Sequence, residues 1–325
     1  MRSCCDSPGT VRTCFAGDRM ADTDTVVRLA AFRFLEEQTR LSPETGTLSR
    51  TVLANGFNFE GQRVPLMGPQ GIFKPRLCDI PISITTVPLV EGKDRPYDDV
   101  FGEDGLLRYR YRGSDPAHVD NVGLRRAMQR QIPLIYFHGI VPGLYVAEWP
   151  VYVVGDDSSR LSFTVSVEER RFAALGSLQE SDETEIRRRY ATRLFRQRLH
   201  QREFRERVVR AYQHHCAICR LRREELLEAA HIVADADPLG LPAVRNGVAL
   251  CTLHHAAFDA DLIGIRPDYV VEVRRDVLEE KDGPMLVHGL QGFHGTPLFV
   301  PRQVASQPDR RLLEARFQQF RRLAG

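Results

Sequence analysis

Three cysteines and a group of histidines in the carboxy-terminal part of the chain are the residues best suited to do chemistry. Cys216-x-x-Cys219 and Cys251-x-x-His254 form two ligand pairs, each with two residues between its members and 31 residues between the pairs. Thiolate and imidazole at that spacing suit a closed tetrahedral zinc site of structural type, because Zn2+ takes sulfur and nitrogen donors in fours. Buried thiols beside a core histidine are the plainer alternative, and the recurrence of two pairs at ligand spacing argues against it. With the tetrad assigned to zinc, His231, Asn246 and His255 are left without a structural duty.

These residues stand in the order Glu228-Ala-Ala-His231-Ile232, Asn246-Gly247, His254-His255 and Phe258-Asp259. The set resembles the HNH nuclease family, with the likeness running from about residue 205 to residue 275. The resemblance implies a two-stranded hairpin followed by a helix around one divalent cation. It places the first histidine on the first strand, the asparagine on the loop or second strand, and the last histidine on the helix. Hydrolysis of a phosphodiester needs a base for water, a cation to neutralise charge on the phosphate, and stabilisation of the leaving oxygen. His231 carries the side chain suited to the base, since imidazole titrates near neutrality. His255 and Asp259, four residues apart on a helix, face the same way and are assigned as ligands of a catalytic Mg2+, Mn2+ or other divalent cation. Asn246 offers both a donor and an acceptor with which to hold the loop or orient the base.

One position departs from the family pattern. Many members carry an acidic residue or a second histidine immediately before the base, as a metal ligand, and here that residue is Ala230. Water and phosphate then complete the coordination sphere, or Asp235 or Asp237 swings in; Glu228, on the same strand face as position 230, is a further candidate. Singly, His231 reads as a core histidine and Asp259 as a helix-surface acid. Their joint occurrence with Asn246 and the tetrad reverses that reading.

Elements that must position this set follow from periodicity. Apolar residues at helical spacing predict helices over 22–40, 121–131, 184–214 and from Asp309 onward, the last packing back on the body of the protein. Between 48 and 168, short β-rich runs separated by Gly, Pro and Asp predict a β-barrel or curved sheet. The expected fold class is α+β. Residues 1–20 read as a leader or a start placed upstream of Met20, 21–175 as a β-rich reading domain, 176–214 as an arginine-rich helical connector, and 205–325 as the nuclease domain. Between Arg187 and Arg210 ten arginines face two acids, Glu203 and Glu206, which suits a phosphate backbone or a solvated helix face.

In the β-rich region, Tyr109-Arg110-Tyr111-Arg112 alternates aromatic and cationic side chains at the strand period, so the tyrosines share one face and the arginines the other. That pattern serves a base-stacking pocket beside a phosphate-binding face, or a barrel core with a charged exterior. A β-rich domain ahead of an HNH module resembles modification-dependent restriction endonucleases, in which a SET-and-RING-associated (SRA) domain or a related pseudouridine-synthase-like (PUA) barrel flips out a modified base. Tyr97-Asp98-Asp99 is similar to the Tyr-Asp-Gly signature of the SRA type, with the glycine replaced. The resemblance implies a homodimeric restriction enzyme that reads methylated or hydroxymethylated cytosine in double-stranded DNA, with Tyr97, Asp98, Tyr109, Arg110, Tyr111, Arg112, Arg193 and Arg196 as DNA contacts. The alternative is a zinc-stabilised nucleic-acid-binding protein without nuclease activity, which Ala230 favours.

The 325 residues, 42% of them hydrophobic, suffice for two cored domains, and the net charge of +2 does not by itself announce a polyanion partner. No uninterrupted apolar run of membrane-spanning length occurs. Of seven cysteines, Cys4, Cys5 and Cys14 lie in the leader, Cys78 stands alone, and the other three join the ligand set. That usage fits a reducing compartment, and the expected location is cytoplasmic.

Overall fold

A computed structural model describes residues 16–41, 46–88, 100–102, 104, 106–168, 182–234, 237, 240–281 and 283–324. Cys4, Cys5, Cys14, Tyr97, Asp98, Asp99 and Asp235 lie outside the described residues. The chain divides into two compact units, Met1–Arg193 and Leu194–Gly325.

In the first unit, α1 (Ala16–Leu41) is followed by β1 (Thr47–Ser49), α2 (Arg50–Asn55) and a small hairpin of β2 (Phe57–Phe59) and β3 (Gln62–Val64). Then come β4 (Ile72–Phe73), β5 (Ser83–Thr86), β6 (Val100–Phe101), β7 (Leu107–Arg110), α3 (Val119–Gln129), β8 (Leu134–Val141), β9 (Leu144–Asp157) and β10 (Ser162–Val167). Among the described residues the main sheet has eight strands in the order β4-β5-β8-β9-β10-β7-β6, with β1 added on β9, and it curls into a half-barrel. Only β5 and β8 pair in parallel among these strands, and α3 lies in the long crossover that a parallel connection requires. The β8–β9 turn passes through Gly143 at φ +89°, a left-handed conformation that glycine adopts without steric cost.

The sheet buries one face beneath α1. Val27, Ala31 and Leu35, spaced one helical turn apart, pack with Ile135, Phe137, Tyr145, Ala147 and Trp149 from β8 and β9. Every residue of β8 is buried, as expected of a central strand covered on both faces. On its other face the Tyr136 hydroxyl lies 3.0 Å from Thr86 Oγ1 and 2.9 Å from His138 Nδ1.

The second unit takes up α4 (Asp182–Ala211) from Leu194 onward. There follow β11 (Leu227–His231), β12 (Gly247–Cys251), α5 (Thr252–Asp259), β13 (Ile263–Ile265), β14 (Val271–Val273), α6 (Arg275–Glu279), α7 (Pro284–Gly289) and α8 (Arg310–Ala324). Its core joins Phe204, Val208 and Tyr212 to Leu227, Val248, Leu250, Phe258 and Leu313. The helices expected over 22–40, 121–131, 184–214 and beyond Asp309 correspond to α1, α3, α4 and α8, with ends shifted by a few residues. No helix among the described residues is long and apolar enough to cross a membrane.

A buried ion pair ties α1 to the sheet loops. Arg28 and Asp24 meet at 3.1 Å with side chains 3% and 7% exposed, and the guanidinium also donates to the carbonyls of Ile80, Pro81 and Pro133 at 2.9–3.0 Å. Removing one partner of such a pair strands the other charge without water, which costs about 3–5 kcal/mol. Arg28→Met is therefore expected to lower the first unit's stability in urea unfolding by about that amount; a loss under about 1 kcal/mol would show that the pair is incidental.

Candidate nuclease site and metal centre

β11 and β12 pair antiparallel, with Leu227 opposite Cys251 and His231 opposite Gly247, and α5 begins directly after β12. The result is a strand–strand–helix unit whose loop joins its two polar ends. Asn246, 1% exposed, closes that loop through its side chain: it accepts from Val233 N at 3.0 Å and donates to Val233 O at 2.9 Å and Leu241 O at 3.1 Å. Its amide is spent on backbone. A bond from Ile232 N to Asn246 O at 2.9 Å continues the ladder, so the residues just after His231 are held from both sides.

Four ligand atoms, from Cys216, Cys219, Cys251 and His254, lie within 4.8 Å of one another. Cys216 and Cys219 come from a tight turn closed by Cys216 N to Leu221 O at 2.9 Å, with Arg220 at φ +65°, and Ala217 N to Ala249 O at 2.7 Å lays the turn on β12. Cys251 caps α5 and His254 sits in its first turn. The Cys219 and Cys251 sulfurs are 3.9 Å apart, and His254 Nδ1 is 3.5 Å from Cys216 Sγ and 3.1 Å from Cys251 Sγ. Tetrahedral bonds of about 2.3 Å to sulfur and about 2.0 Å to nitrogen put ligand atoms roughly 3.5–3.8 Å apart, so the set fits a four-coordinate ion. His254 Nε2 faces the Gly289 carbonyl at 2.8 Å. A carbonyl can only accept, so Nε2 carries the proton and Nδ1 is the donor atom. Burial works against an imidazolium here, yet hydrogen bonds to Cys216, Cys219 and Cys251 overcome it and push His254 up to about 12.

Next to the tetrad, α5 turns its adjacent face outward. His255 Nδ1 bonds the Glu228 carboxylate on β11, while Nε2 stands 3.3 Å from Asp259 Oδ2. The side chains of His255, Glu228 and Asp259 are 22%, 45% and 63% exposed, so the group is open to a large ligand. A carboxylate that accepts Nδ1–H leaves the Nε2 lone pair pointing toward Asp259. Adjacent ligands of an octahedral cation with bonds of about 2.1 Å sit roughly 3 Å apart. His255 Nε2 and Asp259 Oδ2 therefore can share one divalent cation, with Glu228 orienting the imidazole from behind. Ala230 is fully buried in the core and contributes nothing at this point. Asp237 is exposed in the hairpin loop.

His231 ends β11 half-buried, its ring stacked on Phe204 at 3.9 Å between centroids. The C-terminal end of α5 is held by Arg316 of α8, which donates to Phe258 O at 2.7 Å, pairs with Asp261 at 3.0 Å and lies 4.9 Å from the Phe258 ring. A cation there also complements the helix dipole. Sequence patterning did not single out Phe204 or Arg316 for the site. Phe204 was findable only as part of the Phe204, Val208, Tyr212 apolar stripe, and Arg316 only as a charge on an amphipathic helix.

The expected DNA contacts fall in different settings. Tyr109 is 4% exposed, its hydroxyl 3.3 Å from Thr85 O, and it lines a cavity of about 320 Å³ with residues 69–72, Thr85, Val87 and 110–112. Tyr111 is 1% exposed, packs on Phe163, and donates its hydroxyl to Asp156, which Arg125 also holds at 2.7 Å. Arg110 is exposed and donates to Arg160 O at 3.0 Å, whereas Arg112 is paired with Asp120 and Gln70. Arg193 and Arg196 are exposed on α4, Arg196 lying 3.4 Å from His200 Nε2.

Comparison with known proteins adds three findings. Residues 216–266 match the HNH endonuclease family. No curated protein matches the chain. Among solved structures, one described as a modification dependent TagI restriction endonuclease aligns at 16% identity and a TM-score of 0.28, covering 74% of this chain and 81% of that one. The matched segment contains the hairpin, the Cys/His cluster and the His255–Asp259 helix described above, so the second unit carries an HNH endonuclease domain and the protein is a nuclease.

Proposed function

We propose that the protein is a divalent-metal-dependent DNA endonuclease of restriction type, stapled by zinc at Cys216, Cys219, Cys251 and His254, that cuts DNA bearing a modified cytosine. The observation that carries the nuclease chemistry is the division of labour on α5: His254 turns inward to the sulfur cluster and His255, its neighbour, turns outward to Glu228 and Asp259. His255 and Asp259 hold the catalytic cation, which when bound neutralises charge on the scissile phosphate and the leaving oxygen. His231 takes the proton from the attacking water as the new phosphorus–oxygen bond forms and the bond to the leaving sugar oxygen breaks. Asn246 fixes the loop that carries His231 into place. One such centre serves one strand, so cutting a duplex calls for a second copy of the chain.

The reading of modified cytosine rests on the first unit's cavity. A volume of about 320 Å³ lies at the small end of ligand pockets and suits a single flipped base. Tyr109 supplies an aromatic wall and exposed Arg110 a phosphate contact at its mouth. Tyr111, which lines the same cavity, is held in place by Asp156 and Arg125. The SRA- or PUA-like identity of the half-barrel is part of this proposal.

Incubating the chain with Mg2+ or Mn2+ and matched plasmids carrying unmodified, 5-methyl or 5-hydroxymethyl cytosine tests both halves. Cleavage confined to modified plasmid is expected, with His231→Ala slowing single-turnover cutting by about 100- to 10,000-fold at unchanged DNA affinity. Equal cutting of all plasmids would remove the reader, and a His231→Ala chain that cuts at the normal rate would remove the base. For the staple, metal analysis is expected to find about one zinc per chain, lost in Cys251→Ser together with the folding transition of the second unit. Retention of that transition after zinc loss would show the tetrad to be dispensable.

A further inference from the structure

We propose that Phe204, on α4 and outside the segment that matches the HNH family, is the positioning residue of the base, fixing the plane of the His231 imidazole; the inference rests on the reading of His231 as that base. The two rings stack at 3.9 Å between centroids and 12° between planes, a near-parallel face-on contact. A histidine ring turns about a broad, roughly two-fold torsion, so its rotamer alone does not aim its nitrogens. A flat partner against one face removes that freedom and leaves the nitrogens pointing along one line in the ring plane.

Phe204 is itself immobilised. It is 3% exposed, and the space it fills exists because residue 247, directly opposite His231 in the hairpin, is glycine. A Cβ on Gly247 would stand 2.8 Å from Phe204 Cζ and 2.4 Å from Val208 Cγ2. The neighbouring Arg205 grips the other end of the same strand, donating to Leu227 O at 2.7 Å and Glu224 O at 2.9 Å and pairing with Glu206 at 2.9 Å. Consecutive residues of α4 thus hold β11 at its first residue and at its last, the one that bears the imidazole. In-line attack on phosphorus tolerates little error in the base, and a displacement of about 1 Å costs on the order of 100-fold in rate.

Two measurements on the full chain test the assignment. With selectively labelled histidine, and His231→Ala to assign the signals, the His231 ring protons should resonate upfield in the native protein from the Phe204 ring current, and return toward ordinary histidine positions in Phe204→Leu. The first half of that comparison needs no Phe204 variant to fold. In single-turnover DNA cleavage, Phe204→Leu should lower the rate by about 30- to 100-fold at unchanged KM and zinc content, and should cause no further loss in a His231→Ala background. Absence of the upfield shift in the native chain would overturn the proposal. So would a Phe204→Leu rate within about two-fold of native, or an equal loss with and without His231. A native-like His231→Ala rate would instead retire the base itself, while the ring-proton shift would still report the stacking.

Discussion

Three sulfurs and one imidazole nitrogen converging within 4.8 Å are the constraint on which the second unit is built. They join a turn, a strand end and the first turn of a helix, elements too short to be stable separately: β11 and β12 have five residues each and α5 has eight. Isolated helices of that length are marginal in water, and a two-stranded hairpin is little better. A metal ion held by the cluster would contribute directly to folding, since the unfolded chain has no such site. Fixing His254 inward also fixes where the next residue goes, because successive helical positions are about 100° apart. The structural ligand therefore aims the catalytic candidate His255.

The ligand cluster alone does not complete the unit. α4 and α8 lie outside the family-matched segment and supply what it lacks, an apolar floor beneath the hairpin and a guanidinium at the end of α5. Phe204 and Val208 bury one stripe of α4, which Tyr212 just past its end extends, and Leu313, Phe317 and Phe320 bury one stripe of α8. The exposed stripe of α4 retains Arg196, Arg207 and Arg210. One helix thereby serves as core and as a cationic surface, which explains how so strong a concentration of arginine is compatible with a folded unit.

The ligand tetrad was open to sequence reading because metal coordination demands particular atoms at short spacings, and spacing survives in one dimension. The same holds for His255 and Asp259, whose separation of four is a helical turn. Asn246 was readable as a polar residue of importance but not as a loop staple, because its partners are the backbone of Val233 and Leu241, and backbone partners leave no letter in a sequence. Alternation at period two suggests that Tyr109 and Tyr111 share a face, and both are buried, but β7 ends at Arg110 and period two does not say what Tyr111 meets; Asp156 and Arg125, distant in sequence, hold its hydroxyl. Glu228 stood out as a carboxylate near the base, whereas its contact with Nδ1 of His255 depends on how the helix packs over the hairpin.

The proposed function divides the work between neighbouring histidines, His254 in the cluster that could hold a structural metal and His255 beside Asp259 where a catalytic cation would bind. Manganese binding to the zinc-loaded chain, followed by electron paramagnetic resonance, addresses it most directly. Separate roles predict about one Mn2+ per chain, abolished by His255→Ala or Asp259→Ala with zinc content unchanged. Mn2+ binding that survives both substitutions, or that disappears only when the cysteine cluster is broken, would contradict it.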